Sequence, residues 1–409
     1  MKAVISSVYP YLFLFFCFIL PLDKYATAAP NLILIALIVL FPFVIKKRHL
    51  LKLKSIPFII LGLLILMVLL NSIIFNEFQQ DIPIIRKVLS SFLIIVLFLP
   101  LENTKKILKA IIISVLFCMV ASLINLYGFY ISEGAFNFAS GAHIDDVLVV
   151  DRLYLGFLCL ISIVASIGLI GKNYKDINKW YLANIVICIL FVLLISSRIV
   201  IVILISLFFL KIFYSSNKKK YLFLFFGVLI TFSSALFLNK NLSERFFYTQ
   251  NSESNKSYIE LFKAWEPRVV IWECNYNIFH NEDSIITGLG FYNTKDLLLE
   301  CYDKQIEDPE KRNYFINSNF NPHNQFFDFF LSSGLIPGLL FVSLLLYLVT
   351  NYRHSFFKLS LGVSIFIFAF IECFFQRQLG ASIFALIFIL IVFQINPNDE
   401  SEVKIHEKN

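Results

Sequence analysis

Residues 193–205 read LLISSRIVIVILI and place Arg198 inside a long apolar run, Trp180 to Tyr214, whose only other charge is Lys211. The length of that run decides its reading. A bilayer crossing takes about 17 to 25 residues, so the run is too long for one helix and suits two, with Ser196-Ser197-Arg198 as the turn between them. An arginine at the bilayer centre costs about 2.5 kcal/mol or more on insertion scales, and a place in the turn avoids that cost. Arg198 then either anchors the hairpin by snorkelling or faces an anionic ligand outside the membrane.

The same pattern recurs along the chain. The 409 residues are 58% hydrophobic and 15% charged, whereas about a quarter of an average soluble domain is charged. The composition predicts an all-α polytopic membrane protein. Apolar runs at 4–21, 31–45, 56–75, 84–101, 106–130, 153–171, 179–196, 199–214, 221–238, 325–350, 357–374 and 380–395 predict about twelve transmembrane helices. The first run has a basic start, and Ala26-Thr27-Ala28 after it resembles a signal-peptidase site; we read it as the first membrane helix.

Lysine and arginine in short loops set the orientation. The connections KKRHLLKLK (46–54), TKKILK (104–109), GKNYKDINK (171–179) and YSSNKKK (214–220) are basic and alternate with lightly charged or acidic ones. The basic loops are expected in the cytoplasm and the others outside. The net charge of +7 is thereby a topology signal, with no basic stripe of the kind nucleic acid requires. The expected organisation is helices one to nine over 1–238, a periplasmic loop domain over 239–323, helices ten to twelve over 324–396, and a cytoplasmic tail over 397–409.

The outer loop holds most of the side chains capable of chemistry. The stretch 257–281 reads as a helix with Arg268 near its start and with Val269, Trp272, Cys274 or Asn275, and Ile278 on one face. Asn293 or Thr294 is the expected N-cap of the next helix. Gly288-Leu289-Gly290 lacks the third glycine and the βαβ context of a dinucleotide fingerprint. Cys274 and Cys301 share this loop, where an oxidising compartment permits a disulfide; Cys17, Cys118, Cys159, Cys188 and Cys373 fall in membrane runs as small apolar residues.

Three basic groups, Arg198, Arg268 and His323, are expected at helix ends on the outer side. Two guanidinium forks suit a phosphate, and an imidazole can take a proton from a hydroxyl near neutral pH. Each also has an ordinary reading, as membrane anchor, surface charge and interfacial cap respectively. Arg86 and Lys87 near the outer end of the fourth helix either add to a diphosphate site or anchor that helix. His143, Asp145, Asp146, Asp151 and Arg152 lie in an outer loop, where Asp and His could bind a divalent cation or the loop is simply solvated; we read it as solvated. Glu372 and Arg377 flank the outer end of the eleventh helix as a buried pair or a glycan contact.

The ordered segments SSRIVIVIL, PRVVIWECNYNIF, GLGFYN and NPHNQFFDFFLSSGLIPGLLF resemble, in order and spacing, the O-antigen ligase and polymerase superfamily. The motifs cover roughly residues 180 to 350, and the helix layout extends the likeness to the whole chain. The resemblance implies a glycosyltransferase-C-like membrane fold, no metal or other cofactor, and an undecaprenyl-diphosphate-linked glycan as donor. Arg198 and Arg268 match the family's diphosphate-binding arginines, and His323-Asn324 matches its base and the residue after it. Arg86, Arg152, Asn324, Glu372 and Arg377 are further candidates for substrate contact. The implied function is O-antigen ligation to lipid A core at the periplasmic face of a bacterial inner membrane. A repeat-unit polymerase with a lipid-linked acceptor shares the same chemistry. A flippase for lipid-linked sugars is the alternative of another class, opposed by the lack of internal repeats and by polar groups gathered at one membrane face.

Overall fold

The computed structural model describes residues 2–22, 24–75, 78–101, 103–133, 141–170, 176–238, 240–247, 262, 266–281 and 286–393. The expected tail 397–409, most of 239–265 and the side chain of His143 lie outside them. Among the described residues the chain is helical, with no strand. In chain order the helices are α1 (Lys2–Ile19), α2 (Ala29–Val44), α3 (Lys47–Leu50), α4 (Ile56–Phe75), α5 (Phe78–Phe98), α6 (Thr104–Glu133) and α7 (Gly141–Val147). They continue as α8 (Arg152–Leu169), α9 (Ile177–Leu194), α10 (Arg198–Phe213), α11 (Lys218–Leu238), α12 (Lys240–Phe247) and α13 (Pro267–Asn281). The remainder are α14 (Phe291–Gln305), α15 (Pro309–Ser318), α16 (Gln325–Ser333), α17 (Leu335–Asn351), α18 (Phe356–Ala369) and α19 (Gln378–Val392).

Within the described residues each apolar run is mainly helical, the eleventh ending at Ala369 rather than at 374. Among the described residues, six helices are long and apolar enough to cross a membrane, or seven when α2 and the segment Lys47–Lys54, bent from it by 116°, count as one span. The chain is a multi-pass membrane protein. Helices α8 and α19 form the bundle's centre, with Leu379 to Ile391 buried without interruption. Their inward faces are packed with rings, such as Phe157 stacked on Phe368 at 4.0 Å between centroids. Lipid tails are as apolar as leucine, so polar groups add the adhesion that water would otherwise drive. Asn184 of α9 supplies it, donating to Ser162 and Ser166 of α8 at 2.9 and 2.8 Å.

The apolar run 325–350, expected as one helix, is two. Gly334 takes φ +92°, ending α16 and starting α17. The break lets the irregular backbone segment 286–290 dock: Leu289 and Gly290 donate to the carbonyls of Leu331 and Ser332 at 2.7 and 2.8 Å. Here the two backbones nearly touch. A Cβ on Gly288, at φ +78°, would lie 2.5 Å from the Gly334 nitrogen, and one on Gly334 would lie 2.5 Å from the Ile286 carbonyl. The Gly-Leu-Gly motif is therefore a backbone crossing. Asn71 of α4 clamps it, donating to the carbonyls of Thr287 and Ser333.

A second, smaller core is built by α13, α14 and α15 against α16, from Ile271, Cys274, Ile278, Leu298, Tyr302 and Phe315. Cys274 and Cys301 form a disulfide that joins α13 to α14. The buried face of α13 is Ile271, Cys274, Asn275 and Ile278, while Val269 and Trp272, expected on it, are half-buried at its side. Helix α14 starts at Phe291, ahead of the caps expected at Asn293 or Thr294. Its cap comes from elsewhere: Asp81 of α5 accepts the Tyr292 N–H at 3.0 Å, satisfying a first-turn donor that has no partner within the helix.

Candidate active site

The turn between α9 and α10 is as short as the sequence required. Ser196 takes φ +52°, and Arg198 opens α10 directly after Ser197. Gly156 of α8 packs under this turn, where a Cβ would meet the Ser197 hydroxyl at 2.6 Å. Arg268 likewise opens α13, after Pro267, a residue preorganised for a first helical turn.

Both arginines reach one carboxylate. Glu266 receives Arg198 Nη2 on one oxygen at 2.8 Å and Arg268 Nη1 on the other at 2.9 Å. Arg268 Nε also donates to the Ile371 carbonyl at 3.4 Å. The first turn of a helix exposes unsatisfied N–H groups and carries partial positive charge, so two guanidiniums and two helix starts converge on a single anion.

His323 stands before α16, whose cap is Asn324: its side-chain oxygen accepts the N–H groups of Phe326 and Phe327 at 2.9 and 3.1 Å. Asn324, expected at the substrate, thus uses that oxygen to begin the helix. His323 itself takes φ +44°, a conformation uncommon outside glycine and concentrated at functional positions. It is held by three contacts: Asn321 accepts its N–H at 2.9 Å, Trp272 Nε1 donates to its carbonyl at 3.2 Å, and Asn275 donates to the neighbouring Pro322 carbonyl at 2.9 Å. Arg268, Trp272 and Asn275 are spaced i, i+4 and i+7 along α13. One face of one helix therefore carries a phosphate-type arginine and grips the histidine loop.

The imidazole faces Glu372. Its Nδ1 lies 3.2 Å from Glu372 Oε2, the carboxylate being 2% exposed and the ring 18%. The other carboxylate oxygen takes the Tyr154 hydroxyl at 3.4 Å and lies 3.8 Å from Arg377 Nε. Arg377 pairs in turn with Asp151 and lies over the Tyr154 ring. A cleft of about 460 Å³ opens beside it, lined by Lys24, Asp151, Tyr154, Arg377 and Gln378 among others.

Arg198, Arg268, His323, Glu372 and Arg377 are thus linked in one network, on both sides of the connector 370–377. The remaining candidate arginines, Arg86 and Arg152, lie on α5 and α8. Arg86 is exposed on α5, and its neighbour Lys87 instead turns inward to donate to the Gln376 carbonyl at 2.6 Å. Arg152 is buried at the start of α8, its backbone N–H on Asp145 at 2.8 Å. Sequence reasoning missed Glu266, although an acid two residues before Arg268 was a signal for a partner. It also missed Tyr154 and Trp272, which have no local signature.

Among curated proteins nothing matches this chain. Residues 183–342 match the family model described as O-antigen ligase. That segment carries Arg198, Glu266, Arg268 and His323, and the match supports the O-antigen ligase superfamily.

Proposed function

We propose that this protein transfers a glycan from undecaprenyl diphosphate to an acceptor hydroxyl, the acceptor being lipid A core. The observation that carries the reading is the pair of arginines on one carboxylate, tied through Ile371-Glu372 to a histidine. His323 Nε2 takes the proton of the acceptor hydroxyl. The freed oxygen attacks the anomeric carbon, and the carbon–oxygen bond to the diphosphate breaks with its electron pair on the diphosphate. Negative charge grows on that leaving group, and Arg198 and Arg268 bind it most strongly at the transition state, where preorganised cations act best. The activated glycosyl bond supplies the driving force, so the reaction needs no nucleotide. The planar polar groups of the cleft, Asp151, Arg377 and Gln378, suit sugar hydroxyls.

Twelve spans with the site at the periplasmic face of a bacterial inner membrane fit this chemistry. The basic loops 46–54, 104–109 and 214–220 support that orientation, and the Cys274–Cys301 disulfide supports an oxidising compartment for the second core.

The test is lipopolysaccharide from a deletion strain complemented with wild type or His323→Ala, separated on a gel and probed for glycan. The reading expects bare lipid A core in the deletion and in the variant, with long polymer kept on undecaprenyl diphosphate. Core capped by a single repeat unit would make the protein a polymerase instead. Unchanged lipopolysaccharide in the deletion would remove both.

A further inference from the structure

The connector between α18 and α19, residues 370–377, lies beyond the segment that matches the family, which ends at residue 342. It nevertheless touches the candidate site at four places. Ile371 receives Arg268, Glu372 faces His323, the Cys373 sulfur accepts the Asn324 N–H at 3.2 Å, and Arg377 meets Asp151. Phe375 and Gln376 fasten the connector to α16, through Gln325 at 2.9 Å and Asp328 at 2.6 Å. At its middle stands Glu372, and a carboxylate so buried persists only with partners. Its oxygens divide them: Oε2 faces His323, and Oε1 faces Tyr154 and Arg377.

We propose that Glu372 is the positioning residue of the base: it keeps the His323 proton on Nδ1, so that Nε2 carries the lone pair that accepts the acceptor hydroxyl's proton. The catalytic arm of this inference rests on the transfer reading above. When Nε2 takes the proton, the resulting imidazolium is paired with the Glu372 carboxylate, and the second ring proton stays on Nδ1. The other titratable or charged groups around the pair are Tyr154 and Asp151 on the α8 side, Arg377 at the start of α19, Cys373 on the connector, Arg268 on α13 and Asp328 on α16.

The division of partners makes Glu372→Gln a directed test. The variant keeps the shape, but one of its two terminal atoms is now an NH2. Tyr154 and Arg377 both donate, so they hold the amide oxygen on their side. The NH2 then faces Nδ1 and donates to it, which moves the imidazole proton to Nε2 and leaves no base there. A tautomer misplaced in this way lowers kcat by about 10⁴-fold in a comparable carboxylate–histidine arrangement.

The experiment uses the full chain in lipid nanodiscs with ring-¹⁵N histidine. His323 resonances are assigned by their loss in His323→Ala, at a pH where the ring is neutral, and kcat and KM are measured with lipid-linked glycan donor and acceptor. We expect the Nδ1–H tautomer in wild type and the Nε2–H tautomer in Glu372→Gln, with kcat down about 10³- to 10⁴-fold and KM little changed. Glu372→Asp should restore the Nδ1–H tautomer and part of kcat. Wild type carrying its proton on Nε2, or Glu372→Gln retaining Nδ1–H, overturns the proposal. Wild type without transfer activity overturns the transfer reading alone, because the tautomer is still read from the ring nitrogens.

Discussion

Arg268 uses two of its nitrogens at once, Nη1 on Glu266 and Nε on the Ile371 carbonyl. A lysine at this position has a single nitrogen and can satisfy one of them. It would also lose the planar fork that grips a phosphate. Arg268→Lys is therefore expected to lower kcat by about 10²- to 10³-fold, the usual effect of removing one donor to a developing anion, while the protein still inserts in the membrane. Full activity, measured as transfer from the lipid-linked donor, would return Arg268 to a surface charge. At this scale residue chemistry was partly legible. Arg198 stood out because a charge in an apolar run conflicts with its surroundings, and His323 because a proton-accepting ring stands at the outer entrance of an apolar helix. Glu266 did not, because an acid near an arginine is common, and only the fold shows that it serves two arginines 68 and 2 positions away.

Among the elements, the helices were legible and their ends were not. Apolar runs report burial away from water, and they give a helix for each run without its breaks or its course through the bilayer. The break at Gly334 depends on the Gly288 backbone crossing it, and the start of α14 depends on Asp81, 211 positions earlier in the chain. These contacts are tertiary, so no window of sequence contains them. The small core of α13 to α15 has few buried residues, and its disulfide closes a separation of 27 residues. Removing a native disulfide from a small domain typically costs about 2–5 kcal/mol. Replacing both Cys274 and Cys301 by serine is expected to loosen α13, and with it Arg268 and the Trp272 grip on His323. Transfer should fall and limited proteolysis should open 267–318 first, ahead of the membrane bundle; equal protease resistance of the two regions would show that the core stands without the bond.

For the whole molecule, the site's place at one end of the bundle follows from where its helices begin. Helices α10, α13, α16 and α19 each start within a few residues of Arg198, Arg268, His323 or Arg377, so four positive helix ends and three guanidiniums gather there. These cations, paired here with Glu266, Glu372 and Asp151, suit an anion that arrives from one side of the membrane and exchanges with a carboxylate, and their place at helix ends opposes a path through the midplane. The orientation of the entire bundle can be read from two positions. Glu310, exposed on α15 beside the second core, should lie on the same side as the site, and Lys219, exposed in the basic first turn of α11, on the other. Positively charged short loops stay in the cytoplasm, so in intact cells a membrane-impermeant maleimide is expected to label Glu310→Cys and to leave Lys219→Cys unlabelled until the membrane is opened. The reverse pattern would put the arginine pair on the cytoplasmic side, where nucleotide-linked donors are also present, and the case for a lipid-diphosphate donor would fall with it.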